Sequence, residues 1–165
     1  MRFLCLLFAM VPMHAVDIGA GVIELNRFTV TNGEVFTYAE FGSDDDGVHG
    51  LTLASRAGGA VHLAVMEVLP SMYAGKEDDI LEAVVPEAAA GDQVAIKRVD
   101  FIHPTLRTVR YVVTYKDTGA GDVVCDVGYA EAPGSYLVWE IDATARFYSE
   151  HARALDDLLL SVTAK

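Results

Sequence analysis

The sequence predicts an α+β domain: an antiparallel β-sheet of about 6–8 strands, a short middle helix, and a long C-terminal helix packed on the sheet. Three observations carry this expectation. Runs rich in valine, threonine and aromatic residues recur between turn-forming glycines, prolines and aspartates through most of the chain. Past Ile141, one long stretch instead shows apolar residues at helical spacing. With 165 residues, 52% of them hydrophobic, the chain suits one domain able to bury a core of its own.

Residues 1–15, MRFLCLLFAMVPMHA, have the order of a secretory signal. Arg2 precedes an apolar run from Phe3 to Val11, Pro12 breaks it, and Ala15 is a small residue at a cleavage position. The run is shorter than the ~20 apolar residues that cross a bilayer. Cleavage after Ala15, or as late as Ala20, would leave 21–165 as a single exported α+β domain, periplasmic or secreted. Export would also remove Cys5, leaving Cys125 as the sole thiol. In the run VVCDVGY, Cys125 reads as a small buried hydrophobe, since no cation or histidine lies beside it in sequence.

The first half reads as strands. Val22–Val30 is followed by Asn32-Gly33, a strong hairpin signal, with Glu34–Phe41 as the return strand. Gly42–Gly47 is a loop, Gly50–Arg56 a third strand, and Ala57-Gly58-Gly59 a turn. Ala60–Leu69 is apolar at successive positions, which places it centrally in the sheet. The middle helix is predicted over Lys76–Val85, with Ile80, Leu81, Val84 and Val85 on its apolar side and Pro86 ending it. Gln93–Ile102, Leu106–Lys116, Asp122–Ala130 and Ser135–Ile141 are further strands, separated by His103-Pro104, Asp117–Gly121 and Ala132-Pro133-Gly134. Asp142 then reads as the N-cap of a helix whose stripe is Tyr148, Ala152, Leu155, Leu159 and Val162. That stripe would cover one face of the sheet.

Acidic residues number 24 against 12 Lys and Arg, a net charge of −12. Such a field excludes nucleic acid as a partner, because phosphate binding needs clustered cations. Glu77, Asp78, Asp79, Glu82 and Glu87 form a candidate acidic surface for a basic protein partner. Tyr111, Tyr115, Tyr136, Trp139 and Tyr148, with Phe147, are the alternative candidate: an apolar small-molecule pocket between sheet and C-terminal helix.

Motifs of reaction centres are weak. Asp44-Asp45-Asp46-Gly47 lacks the alternation of a calcium loop and reads as a solvated tip. His14, His49, His62, His103 and His151 show no ligand spacing, so the sequence signals no metal. Ser135 follows Gly134 but leads into a strand, not the strand–turn–helix of a nucleophile elbow. No catalytic residue and no cofactor is expected from these patterns.

The tail SYLVWEIDATARFYSEHARALDDLLLSVTAK resembles the end of Mog1/PsbP-like domains, which close with a strand, an aromatic-containing helix and a short exit, here Leu160-Ser161-Val162. The preceding order of elements is also similar. The resemblance implies an antiparallel sheet flanked by helices. Members are mostly non-enzymatic binding or assembly factors, so it implies a protein-binding role, immunity- or chaperone-like. No family functional residue maps onto a position here, and fold alone does not specify function.

Overall fold

The computed structural model describes residues 13–69, 94–117 and 119–165. Eight antiparallel strands form the main sheet in the spatial order β1-β4-β5-β6-β10-β9-β8-β7. They are β1 (Met13–Asp17), β4 (Tyr38–Asp44), β5 (Gly47–Ser55), β6 (Gly59–Met66), β7 (Ala95–Arg98), β8 (Arg107–Asp117), β9 (Gly121–Ala132) and β10 (Ser135–Thr144). A second, three-stranded sheet contains β2 (Gly21–Glu24), β3 (Phe28–Asn32) and β11 (Thr163–Ala164), with β3 in the middle. Helix α1 (Ala145–Leu160) is the one helix among the described residues. The middle helix predicted over Lys76–Val85 lies outside them, as do Glu77, Asp78, Asp79, Glu82 and Glu87.

The first predicted hairpin is placed differently. Val22–Val30 is not one strand: it bends at Leu25–Arg27, and β2 pairs with β3. The Leu25 amide donates to the Phe28 carbonyl at 2.8 Å, and the buried Leu25 side chain anchors the bend in the core. Asn32-Gly33 makes no hairpin. Asn32 is buried, and its Nδ2 donates to the carbonyls of Gly19 (3.0 Å) and Phe36 (2.9 Å), so it ties together the chain passing between the two sheets. β4 instead pairs with β1 and β5. The predicted loop Gly42–Gly47 shrinks to the two-residue tip Asp45-Asp46. Gly47 supplies the positive φ of +124° that a side chain would resist there. Asp44 Oδ1 accepts from the Asp46 amide at 2.9 Å, the short bond that makes aspartate a turn residue.

The C-terminal helix starts later than its sequence signal. Pairing of β10 with both β6 and β9 carries the strand beyond Asp142. Thr144 is the cap, its Oγ1 accepting from the Phe147 amide at 3.2 Å. Most of the predicted stripe holds: Leu155, Leu159 and Val162 are buried and Tyr148 is half-buried against the core. Phe147, Leu155, Leu158 and Leu159 are buried, whereas Ala152 is exposed. Phe147 also meets His151 at a ring distance of 4.4 Å with the planes tilted by 54°. Helix α1 lies over β9 and β10 and the small sheet. Ser161 ends it, with Oγ accepting from the Thr31 amide at 2.8 Å, and Val162 returns to the core.

Because side chains alternate along strands, the main sheet has two separately packed faces. The helix side gathers Leu51, Leu53, Val61, Leu63, Leu137, Trp139 and Ile141 with α1 and the small sheet's Phe28 and Val30. The opposite side gathers Tyr111, Val113, Tyr115, Cys125, Val127, Tyr129 and Val138. Leu69 and Val94 pack against this second cluster. Strand β9 is buried at nearly every position from Val123 to Ala132, as expected of a central strand covered on both faces.

Candidate functional site

Each face of the sheet holds one buried polar centre, and both rely on the period of two that sends neighbouring residues to opposite sides.

On the helix side, the centre is Asp126 of β9, which is completely buried. Arg110, on the adjacent β8, grips it with Nε 2.9 Å and Nη2 2.6 Å from Oδ2. The Tyr148 hydroxyl of α1 donates to the same oxygen at 2.6 Å, and Trp139 Nε1 donates to Oδ1 at 3.3 Å. Arg110 Nη1 also reaches Asp156 of α1 at 2.6 Å. The Arg110 guanidinium sits 5.0 Å over the Phe101 ring, which meets Trp139 edge-on. Gly128 leaves space for this packing: a Cβ there would strike the Trp139 ring and the Val109 carbonyl.

Burial opposes the charge on Arg110, but hydrogen bonds and charge from Asp126, then Asp156, outweigh it and hold the guanidinium firmly protonated. Burial, followed by the Asp126 charge, pushes the Tyr148 phenol well above its ordinary value. Neither group changes ionisation near neutral pH. The centre clamps helix to sheet through these bonds.

The other side holds a different arrangement. Glu140 and Asp142 alternate on β10 and so face the same way. Cys125 of β9 stands opposite Asp142, and His62 of β6 stands opposite Glu140. Cys125 is 1%, Glu140 5%, Asp142 6% and His62 9% exposed. The Cys125 sulfur and one carboxylate oxygen each from Glu140 and Asp142 lie within 4.8 Å of one another. The Cys125 thiol donates to Glu140 Oε1 at 3.9 Å. His62 Nε2 lies 3.9 Å from Asp142 Oδ2, and its Nδ1 is 3.0 Å from Thr52 Oγ1. Asp142 also forms part of the wall of a cleft of about 340 Å³, bounded by Ser55, the Gly58-Gly59 turn, Ala60, Ala120 and Val123. This constellation is the candidate site: a buried thiol, two carboxylates and an imidazole, of which Asp142 reaches the wall of an open cleft.

The aromatic set named from sequence is divided by the sheet. Trp139, Tyr148 and Phe147 lie on the helix side, and the first two meet at Asp126. Tyr111, Tyr115 and Tyr136 lie on the opposite side, where Tyr136 meets Tyr129 edge-on at 6.0 Å. Cys125 is buried, as expected, but next to Glu140 and Asp142 rather than only among hydrophobes. His103 makes its turn by accepting the amides of Thr105 and Leu106 at Nδ1.

Sequence reading missed Arg110, Asp126 and Asp156, and it gave Asp142 a capping role. A signal for the first pair was present. Asp126 is a lone acid inside VVCDVGYA, and a buried strand can hold such a charge only with a partner. Arg110 is the basic residue nearest the middle of the neighbouring strand LRTVRYVVTYK.

No protein-family model matches the chain, and no curated protein matches it. Solved structures do. Protein PA94 from Pseudomonas aeruginosa aligns with a TM-score of 0.52 at 13% identity, over 90% of this chain and 99% of that one. The cyanobacterial PsbP of Synechocystis sp. PCC 6803 aligns with a TM-score of 0.50 at 8% identity, over 95% of each. The Saccharomyces cerevisiae Ran-binding protein Mog1p aligns at 0.49 and 10%, over 93% of this chain and 95% of that one. At these identities the likeness is one of fold, and the Mog1/PsbP-like resemblance of the sequence holds at that level.

Proposed function

We propose that the chain is an exported, non-catalytic module that binds a protein partner through its acidic surface, in an immunity- or chaperone-like role. One observation carries this reading. Acids outnumber Lys and Arg two to one, and among the described residues Arg107, Arg110, Arg146, Arg153 and Lys165 are already held in ion pairs within the chain. The remaining negative field is therefore open to a basic partner, and its reach is set by salt. The clamp under α1 supports the same reading. It spends the best-placed charged groups on rigidity, which suits a surface that must keep its shape.

The test is capture on immobilised protein at low and high salt, with retained proteins identified by mass spectrometry. A basic partner whose yield falls steeply with salt is expected, and charge-neutral variants at Glu77, Asp78, Asp79, Glu82 and Glu87 should weaken its retention. Retention unchanged by salt and by those substitutions would refute the electrostatic reading. Export is checked separately. N-terminal sequencing of the exported form should start at Val16 or Gly21. The first start would leave only Val16 and Asp17 of β1, and the second would free the edge of β4.

A further inference from the structure

We propose that Cys125, Glu140 and Asp142 bind one borderline-soft divalent metal ion of the zinc class, with His62 as the residue that positions Asp142. The geometry is that of ligands on adjacent strands. Two carboxylates from alternate positions of β10 and a thiol from the facing position of β9 bring one donor atom each to within 4.8 Å of one another. All three residues are more than nine-tenths buried. Thiolate and carboxylate are donor groups that a divalent cation of this class takes from a protein, and these three converge on one point.

The donor types select the ion. A thiolate disfavours the hard cations magnesium and calcium, which take oxygen ligands. One sulfur and two carboxylate oxygens suit zinc, with a fourth position left over. The wall formed by Asp142 in the 340 Å³ cleft gives that position an approach from solvent. Outside the ligands, Thr52 holds His62 Nδ1 at 3.0 Å while His62 Nε2 faces Asp142 Oδ2 at 3.9 Å. Such outer partners orient ligating groups and tune their basicity. Binding displaces the thiol proton and any carboxyl proton, so affinity should fall as pH falls.

The helix-side centre shows the contrast within the same sheet. There a buried carboxylate is matched by Arg110, Tyr148 and Trp139, all donors. On this side a thiol and two carboxylates bring their donor atoms to one point, with His62 beside Asp142.

The experiment uses the untagged full-length chain, stripped with a chelator and titrated with Co²⁺ as a spectroscopic probe, then with Zn²⁺. A thiolate-to-cobalt charge-transfer band saturating at one equivalent is expected, displaced by Zn²⁺ and unaffected by excess Mg²⁺. The band should persist in C5S and vanish in C125S. H62Q should keep the band but weaken Co²⁺ affinity by roughly 10–100-fold. A parent protein without a saturating band overturns the proposal. The proposal falls equally if the band survives in C125S or is lost in C5S. Should C125S fail to fold, D142N and H62Q carry the decision: unchanged Co²⁺ affinity in both would overturn the assignment.

Discussion

At the scale of single residues, Asp126 decides most. A carboxylate with no exposed surface is tolerated because Arg110, Tyr148 and Trp139 all donate to it. Removing one partner of a buried ion pair leaves the other uncompensated. R110M should therefore cost about 3–5 kcal/mol in urea unfolding at neutral pH, with m-values unchanged. Tyr148 gives a pH signature. Its phenol pKa is raised on folding, by burial first and then by Asp126. The neutral phenol thus contributes stability that is fully present below its ordinary pKa of ~10 and is lost as pH rises through the folded value. Y148F should be less stable than the parent at pH ~7, by about 1.5–3 kcal/mol for a hydrogen bond to a charged group. The difference should narrow in alkaline solution, as read from urea midpoints across pH. A constant difference would show that the hydroxyl does not titrate with unfolding. None of this requires more than the residues present, yet the sequence marks Tyr148 and Trp139 only as aromatic bulk rather than as donors, and Asp126 only as a lone acid in an apolar strand.

At the scale of elements, strand pairing overrides local helix signals. Asp142 precedes a helical stripe and has the chemistry of a cap, but the ladders to β6 and β9 continue past it, and Thr144 takes the cap. T144A should therefore destabilise by ~1 kcal/mol, whereas D142A should leave helix capping unaffected and act through the buried cluster instead. Far-ultraviolet circular dichroism during thermal unfolding, compared for the two variants, separates these effects. Close packing on the helix side of the sheet rests on two glycines with no special turn role. A Cβ at Gly59 would enter the Phe147 ring, and one at Gly128 would enter the Trp139 ring. G59A and G128A should each cost about 1–3 kcal/mol by overpacking, with lowered thermal midpoints for both. In the sequence Gly59 looks like half of a turn and Gly128 like an interruption of a strand. Their reason is a ring from another element, which no local pattern contains.

At the scale of the whole molecule, the described chain is a sheet packed on both faces, with α1 and a small sheet closing one of them. The C-terminus is fastened to that small sheet: the Lys165 amide donates to the Arg27 carbonyl at 2.9 Å, and its Nζ pairs with Glu24 at 3.0 Å. The negative surface is a property of this scale as well. Long-range attraction to a basic partner should weaken several-fold between low salt and physiological ionic strength, where the screening length is ~8 Å, as measured by association rates. Strand content, the C-terminal helix, the central position of the β6 run and the acidic field were legible in the sequence, because each is set by residue type and period within a short window. The sheet order, the two-sheet split at Leu25–Arg27, the clamp on Asp126 and the meeting of Cys125, Glu140, Asp142 and His62 were decided by tertiary structure alone. Those depend on which strands become neighbours and in what register, and a one-residue slip in register would send every one of these side chains to the other face.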